Sequence, residues 1–216
     1  MEEKKSDFAN PYEVASAQEK GPVIQEKGLV ISEAQSKVAN PGPLGLLGFG
    51  MTTILLNLHN EGIIGLSIVI VSLGFIVGGL MQIIAGIFEM KNGNTFSGTA
   101  FTAYGFFWLS MTFIWINPFD MIDDADSVSM EVYLLIWGIF SLFMFIATLK
   151  HNRAIQVVFI TLTLLFFGLA ANEYFANDLL GIVTGYIGIF CGGSAIYNAV
   201  GQLLNGEYGR EVIKLG

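Results

Sequence analysis

The sequence predicts an all-α polytopic membrane protein with six transmembrane helices in each protomer. Of its 216 residues, 53% are hydrophobic and only 13% are charged, which is about half the charged fraction of a soluble domain. A bilayer core requires roughly 20 apolar residues for each helical span. Six stretches approach that length, and they occupy residues 43–60, 63–89, 94–116, 131–149, 154–174 and 180–204.

The basic residues predict how these spans are oriented, because the cytoplasmic loops of membrane proteins are enriched in Lys and Arg. All 10 lie before the first span, between the second and third, between the fourth and fifth, or after the sixth: Lys4, Lys5, Lys20, Lys27, Lys37, Lys91, Lys150, Arg153, Arg210 and Lys214. The other three connections carry acidic residues but no basic ones. We therefore expect both termini on the cytoplasmic side of a cell membrane, and the acidic loop 120–129 outside.

The segment 1–39 is rich in Glu, Gln, Lys and Ser and has no sustained apolar periodicity, which predicts a disordered cytoplasmic tail. It lacks the basic start and short apolar run of a secretory signal, so we expect no cleaved signal. Residues 40–205 form the predicted transmembrane domain, and 206–216 form a short cytoplasmic tail. The net charge of -8 argues against nucleic acid as a partner.

The first span begins after Pro41 and Pro43, which disfavour helix before residue 43. Proline in the first turn is typical of an ordinary helix start. A helix N-terminus also attracts anions through its free N–H groups, so a carboxylate-binding mouth is the second interpretation of this end. Farther along, Phe49, Thr53 and Asn57 recur every four residues and share one face, where they can line a path.

Span two carries a stripe of small and polar residues, namely Gly78, Gln82, Ala85 or Gly86, and Glu89. A buried amide costs free energy in lipid unless a ligand, a water molecule or a neighbouring helix pairs with it. We therefore expect Gln82, like Asn57 of span one, to lie near a path through the protein, with helix packing as the alternative.

Span three begins with Asn94 and carries a threonine stripe, Thr95, Thr99 and Thr102. Such stripes pack helices more often than they line pores. Tyr104 lies roughly 200° from Thr102 around an ideal helix, so a straight helix cannot present both to the same path. The residues alone leave open which of the two faces a neighbouring helix.

The later spans are apolar and rich in glycine. Pairs four residues apart, such as Gly181 with Gly185 and Gly188 with Gly192, allow close helix packing, either within a protomer or between protomers. Cys191 is the only cysteine of the chain, so we expect no intrachain disulfide and no cysteine metal site.

No span has an Asp, Glu, Lys, Arg or His residue at its centre, since Glu89 and His59 lie near span ends. This pattern argues against a proton relay built from acidic or histidine side chains. The sequence also lacks the His-Glu spacing of metalloproteases and the Gly-x-Ser-x-Gly motif of hydrolases. We therefore expect neither an enzyme nor a protein with a cofactor or bound metal.

The sequence resembles the acetate uptake transporters, the succinate–acetate permeases of bacteria, archaea and fungi, over about residues 39–211. Their signature Asn-Pro-x-Pro-Leu-Gly-Leu is present at 40–46, and 49–60 is similar to the bacterial members almost letter for letter. Gly42, where many members have Ala, and the acidic tail are departures. Further matching motifs lie on other spans, at 93–96, 99–102, 104–105, 142–145 and 193–197.

The resemblance implies a six-helix protomer that assembles as a homohexamer, with a separate path for acetate, and in some members succinate, through each protomer. By motif alignment, the hydrophobic constriction of the family falls on Phe49, Tyr104 and Leu162, which favours Tyr104 over the threonine stripe as the residue that faces the path. We assign these polar residues to the substrate path: Asn40, Thr53, Asn57, Gln82, Asn94 and Thr95.

The predicted function is transport of acetate, and of succinate or other small carboxylates, across the cytoplasmic membrane together with a proton. The sequence does not decide how acetate movement is coupled to the proton. The proton can travel as part of neutral acetic acid, which avoids burying a bare carboxylate, or acetate can pass as an anion through a passive channel. The alternative from another class is a non-transporting membrane sensor or scaffold whose polar stripes only pack helices.

Overall fold

The structure, a computed structural model, describes residues 39–119 and 121–216. Each helix in that part coincides with one predicted span, and α2 to α6 are long and apolar enough to cross a membrane. The prediction of an all-helical polytopic membrane protein is confirmed, whereas the predicted N-terminal tail, apart from Ala39, lies outside the described residues. The helices are α1 Gly42–Asn60, α2 Ile68–Lys91, α3 Thr95–Ile116, α4 Ser127–Thr148, α5 Arg153–Phe175 and α6 Asp178–Tyr208.

Much of helix α1 packs against protein. Of its 19 residues, 10 are buried, including the polar Thr52, Thr53 and Asn57. Its most extensive contact is with α6. Small residues are favoured at such helix interfaces; Gly50 faces α6, and Gly48 faces α2.

The crossing of α1 and α6 depends on glycine. A Cβ atom on Gly192 would lie 2.6 Å from the carbonyl oxygen of Gly50, and a Cβ atom on Gly50 would lie 2.6 Å from that of Gly192. A Cβ atom on Gly188 would overlap the side chain of Asn57. The glycine spacing of α6 therefore packs helices within the protomer, which is one of the two alternatives that the sequence left open.

Helix α2 contains a π-helical stretch, Gly74–Met81, between two α-helical parts. The sequence indicated only a continuous helix, so this feature is an addition to the prediction. Glycine brings the stretch against α3, because a Cβ atom on Gly78 would lie 2.7 Å from the indole ring of Trp108. Ordinary α-helical geometry resumes at Gln82, so the stretch determines the direction in which Gln82 points.

Side-chain caps determine where α3 to α6 begin. An Asn or Asp oxygen accepts a hydrogen bond from the backbone N–H three residues later, at Asn94, Asp126, Asn152 and Asn177. These caps satisfy donors that the first turn of a helix leaves free. Hydrogen bonding from Ser129 also lowers the pKa of Asp126 from its usual value. With Asp126 as its cap, α4 begins at Ser127 rather than at residue 131.

Residues 209–216 fold back against α5 and α6, and we call them the C-terminal strap. The backbone N–H of Ala154 donates to the carbonyl oxygen of Leu215 at 2.9 Å. The hydroxyl of Tyr197 donates to the carbonyl oxygen of Lys214 at 2.7 Å. The segment 206–216 is thus part helix and part strap, because α6 continues to Tyr208.

Candidate functional site

Phe49 of α1, Tyr104 of α3 and Leu162 of α5 converge around a small cavity, which Gln82 of α2 also borders. We call this the constriction cavity. All four side chains are at most 5% exposed. The cavity measures about 20 Å³, which is enough for roughly one water molecule. These side chains therefore close the interior of the helix bundle at this level.

Tyr104 is held in an aromatic cluster. Its ring centroid lies 6.2 Å from that of Phe49, 5.9 Å from that of Trp137 and 5.4 Å from that of Phe140. Its hydroxyl forms a hydrogen bond of 2.9 Å with the hydroxyl of Ser141 on α4. The packing fixes the ring, and Ser141 engages the hydroxyl, so Tyr104 presents mainly an apolar surface to the cavity.

Thr102 packs against helix α2. A Cβ atom on Gly86 of α2 would overlap the hydroxyl of Thr102. Tyr104 borders the constriction cavity instead. The two residues thus face different surroundings, as their separation around the helix requires.

Gln82 presents an unpaired acceptor to the interior. Its side chain is 1% exposed and borders the constriction cavity. Its Oε1 has no hydrogen-bond partner among the described residues. A buried acceptor without a partner costs about 1–3 kcal/mol. A group in the cavity that donates a hydrogen bond, such as a water molecule or the O–H of a carboxylic acid, would remove that cost.

A second cavity of about 260 Å³ lies next to the first, and Leu46 and Phe101 border both. We call it the vestibule. Two predicted path residues, Asn40 and Asn94, border it. It is also bordered by polar residues that the sequence did not assign to the path, namely Glu89, Ser97, His151, Asn152, Asn198 and Gln202.

The other predicted path residues lie outside the linings of these two cavities. Asn57 is 1% exposed, donates to the carbonyl oxygen of Thr53 at 2.8 Å and packs against Gly188. The hydroxyl of Thr53 is buried, with no partner in the part of the chain that the structure describes. Thr95 is exposed in the first turn of α3.

Two of the residues that sequence reasoning missed carry a recognisable signal. Asn198 and Gln202 are amides four residues apart in an apolar span, and this is the spacing at which side chains meet on a helix. Ser141 is a single hydroxyl in span four, and nothing near it in the sequence marks it as a partner of Tyr104.

A helix bundle that closes on an apolar ring next to a polar vestibule is suited to passing small polar solutes selectively, which places the chain among membrane transport proteins. Residues 25–210 match the model of the GPR1/FUN34/yaaH family. The chain belongs to this family, and the resemblance stated from the sequence is confirmed.

Individual relatives align along most of the chain. The succinate-acetate/proton symporter SatP of Escherichia coli K12 is 50% identical over 182 residues, which are 84% of this chain and 97% of that protein. A protein of Methanothermobacter thermautotrophicus is 46% identical over 198 residues, which are 88% of this chain and 96% of its own. The solved structure of the bacterial acetate channel SatP, 50% identical, has a TM-score of 0.82 and covers 83% of this chain and 100% of its own.

Proposed function

We propose that this protein transports acetate and succinate across the membrane together with a proton, through the constriction cavity and the vestibule. The observation that carries the proposal is the ring of Phe49, Tyr104 and Leu162 around a cavity of about 20 Å³. This ring occurs in a chain 50% identical to a succinate-acetate/proton symporter.

The ring selects solutes by size and hydration. An apolar constriction is a barrier to hydrated ions, so a solute passes only after it sheds water. A small carboxylic acid satisfies this requirement better than a large or strongly hydrated solute. Gln82 borders the ring, and its amide replaces part of the hydration that the solute loses.

The proton travels with the substrate. In the described part of the chain, no Asp, Glu, Lys, Arg or His borders the constriction cavity. A bare carboxylate would therefore cross without a partner of opposite charge, which is costly, whereas neutral acetic acid avoids that cost. The alternative is a passive anion path, because the related solved structure is that of an acetate channel.

We place both termini and the vestibule on the cytoplasmic side, with six spans in each protomer. Lys91, Lys150 and Arg153 support this orientation, because they lie at the ends of α2, α4 and α5 that adjoin the vestibule. Residues 1–39 are then a cytoplasmic tail, 40–205 the transport domain and 206–216 the C-terminal cytoplasmic part. Exposed apolar side chains such as Phe143 of α4 are available to lipid and to the neighbouring protomers of a homohexamer.

Cysteine labelling should place the loop 120–129 outside the cell. In a Cys191→Ser background, a cysteine at the exposed Ser127 should react with a membrane-impermeant thiol reagent in intact cells. A cysteine at Ser36 is the control, and it should react only after the cells are opened. The reverse pattern would show that the proposed orientation is inverted.

Uptake of radiolabelled acetate into vesicles that contain only this protein tests the proposed function. We expect saturable uptake above that of empty vesicles, increased by an inward proton gradient. A passive channel would show no acetate accumulation driven by that gradient. Uptake equal to that of empty vesicles would contradict transport. It would favour the alternative, a non-transporting membrane sensor or scaffold.

The Gln82→Leu variant should lower acetate uptake about tenfold while the yield of folded protein stays normal. Leu occupies similar space but removes the amide from the constriction cavity, and a lost hydrogen bond to the solute is worth about 1 kcal/mol or more. The measurement is the uptake rate at equal amounts of monodisperse protein.

The Asn57→Leu variant is the comparison for Gln82→Leu. Asn57 is equally buried, but it packs between helices against Gly188. We expect this variant to lose folded protein and uptake together. If Gln82→Leu also loses both in proportion, Gln82 serves helix packing rather than the path.

A further inference from the structure

A groove of about 550 Å³ opens on the outer surface of the bundle, between α5, α6 and the C-terminal strap. We call it the lateral groove. Val157 of α5 borders it on one side, and the exposed rings of Phe190 and Tyr197 of α6 border it on the other. It shares no lining residue with the constriction cavity or the vestibule. The lateral groove is therefore a separate feature that the transport path does not use.

The lateral groove is open because Gly193 has no side chain. A Cβ atom on Gly193 meets no atom of the described residues within 4 Å, so a larger side chain there would extend into the groove. From Tyr197 to Phe190 the groove follows seven residues of α6, which is about 10 Å along the helix axis. The apolar half of a bilayer leaflet pair is about 15 Å thick. The groove thus follows an acyl chain along most of one leaflet.

Polar groups along the lateral groove are already paired. The hydroxyl of Ser194 donates to the carbonyl oxygen of Cys191 at 2.7 Å. The hydroxyl of Tyr197 donates to the carbonyl oxygen of Lys214 at 2.7 Å. Neither hydroxyl has a second proton to donate, so the walls offer an occupant mainly hydrocarbon. The groove is therefore suited to an apolar chain and not to a small polar solute.

One end of the lateral groove is positively charged. Arg153, the first residue of α5, and Lys214 of the strap both border the groove and are exposed. In the described part of the chain, no Asp or Glu side chain borders it. A carboxylate at Gly216, which packs on the stem of Arg153, would offset only one of the two charges. Basic pockets at the end of membrane helices attract anionic lipid headgroups.

We infer that the lateral groove binds one phospholipid with an anionic headgroup in each protomer. The phosphate lies between Arg153 and Lys214, and one acyl chain runs over Gly193 toward Phe190. Under the proposed orientation this lipid belongs to the cytoplasmic leaflet. A zwitterionic lipid offers the same phosphate and chains, but it adds a cationic group that the two basic side chains repel.

Native mass spectrometry of the purified protein tests the inference. Delipidated protein in detergent is titrated with phosphatidylglycerol or with phosphatidylcholine that carries the same acyl chains. We expect one phosphatidylglycerol for each protomer, bound about tenfold or more tightly than phosphatidylcholine. Its binding should also raise the unfolding temperature. Inorganic phosphate at the same concentration should not, because it has no chain to fill the groove.

The Arg153→Gln, Lys214→Gln double variant tests the charged end. Gln keeps part of each stem and removes the charge, so phosphatidylglycerol should bind about tenfold or more weakly, with little preference left over phosphatidylcholine. The matched control is Lys91→Gln with Lys150→Gln. It removes the same charge from the same end of the bundle, but neither residue borders the lateral groove. The control should keep the wild-type preference.

The Gly193→Leu variant tests the apolar part. Its side chain should displace the acyl chain and weaken binding of both lipids about tenfold, since excluding as few as two methylene groups has an effect of that size. Gly206→Leu is the matched control on the same helix. A Cβ atom on Gly206 also meets no atom of the described residues within 4 Å, and Gly206 does not border the groove, so lipid binding should stay normal.

Equal binding of the two lipids to the wild type, or unchanged lipid preference in the Arg153→Gln, Lys214→Gln variant, would overturn the inference. Equal stabilisation by inorganic phosphate would do the same. Loss of protomers from the Gly193→Leu assembly with lipid binding unchanged would assign the groove to a second copy of the chain. If Gly193→Leu yields no folded protein, the charge variant against its control decides. None of these measurements uses acetate, so failure to transport acetate would contradict the proposed function alone.

Discussion

The Phe49→Ala variant is expected to raise the ratio of butyrate to acetate uptake by about tenfold or more. Phe49 is 5% exposed and borders a cavity of about 20 Å³, so removing its ring opens the narrowest part of the path. A tight apolar site discriminates by roughly 1–3 kcal/mol for each methylene group, and butyrate is two methylene groups longer than acetate. The measurement is uptake of the two labelled acids in vesicles at matched amounts of protein.

Substitutions at the other two ring positions separate size from hydrogen bonding. Tyr104→Ala should behave like Phe49→Ala, and Leu162→Ala should shift the ratio in the same direction by less. Tyr104→Phe keeps the ring, so its selectivity should stay close to that of the wild type. Ser141→Ala should match Tyr104→Phe, because both remove the same 2.9 Å hydrogen bond.

A butyrate-to-acetate uptake ratio that does not change in the ring variants would contradict this prediction. If Phe49→Ala and Tyr104→Ala both keep the wild-type ratio while acetate uptake continues, these side chains do not border the path. Loss of uptake of both acids in parallel with loss of folded protein would assign them to packing alone.

The Gly192→Val variant is expected to yield almost no folded protein. A Cβ atom at this position would lie 2.6 Å from the carbonyl oxygen of Gly50, and backbone cannot move aside as the end of a flexible side chain can. Forcing extra atoms into a packed interior costs about 1–3 kcal/mol or more, and here α1 must separate from α6. The yield of monodisperse protein and its unfolding temperature measure the effect.

The adjacent Gly193→Val variant provides the control for Gly192→Val. A Cβ atom on Gly193 meets no atom of the described residues within 4 Å, and the position is exposed. It should fold in nearly wild-type amounts, although the two substitutions are chemically identical. Equal yields from both variants would show that the α1–α6 crossing tolerates side chains and that the glycine contact does not hold it together.

The sequence predicted the six helices because the bilayer imposes simple rules on length and composition. Each helix must offer an apolar stretch long enough to cross, and the basic residues must stay in alternate connections. The helix ends were less accurate. Helix α4 begins at its Asp126 cap and α6 continues to Tyr208, since capping and contacts beyond the bilayer extend helices past their apolar part.

The sequence predicted some residues of the candidate site and missed others. The ring of Phe49, Tyr104 and Leu162 came from resemblance, because no periodicity relates residues on three separate helices. Gln82 was found from the cost of a buried amide. Ser141 and Asn198 were missed, because their importance depends on which residue of another helix they meet, and a single sequence does not contain that pairing.

Because α2 contains the π-helical stretch Gly74–Met81, the directions in which Gln82 and Glu89 point depend on the number of residues in that stretch. Each residue of an α-helix advances the chain by about 100° around its axis, and a π-helical turn holds more residues than an α-helical one, so changing the number of residues in the stretch while its hydrogen-bond pattern is kept would rotate everything after it. Gln82 would turn away from the constriction cavity and Glu89 from the vestibule, although neither side chain had been altered. Substitutions in the stretch that preserve its residue count and leave Gly74, Gly78 and Gly79 in place keep both side chains aimed as they are.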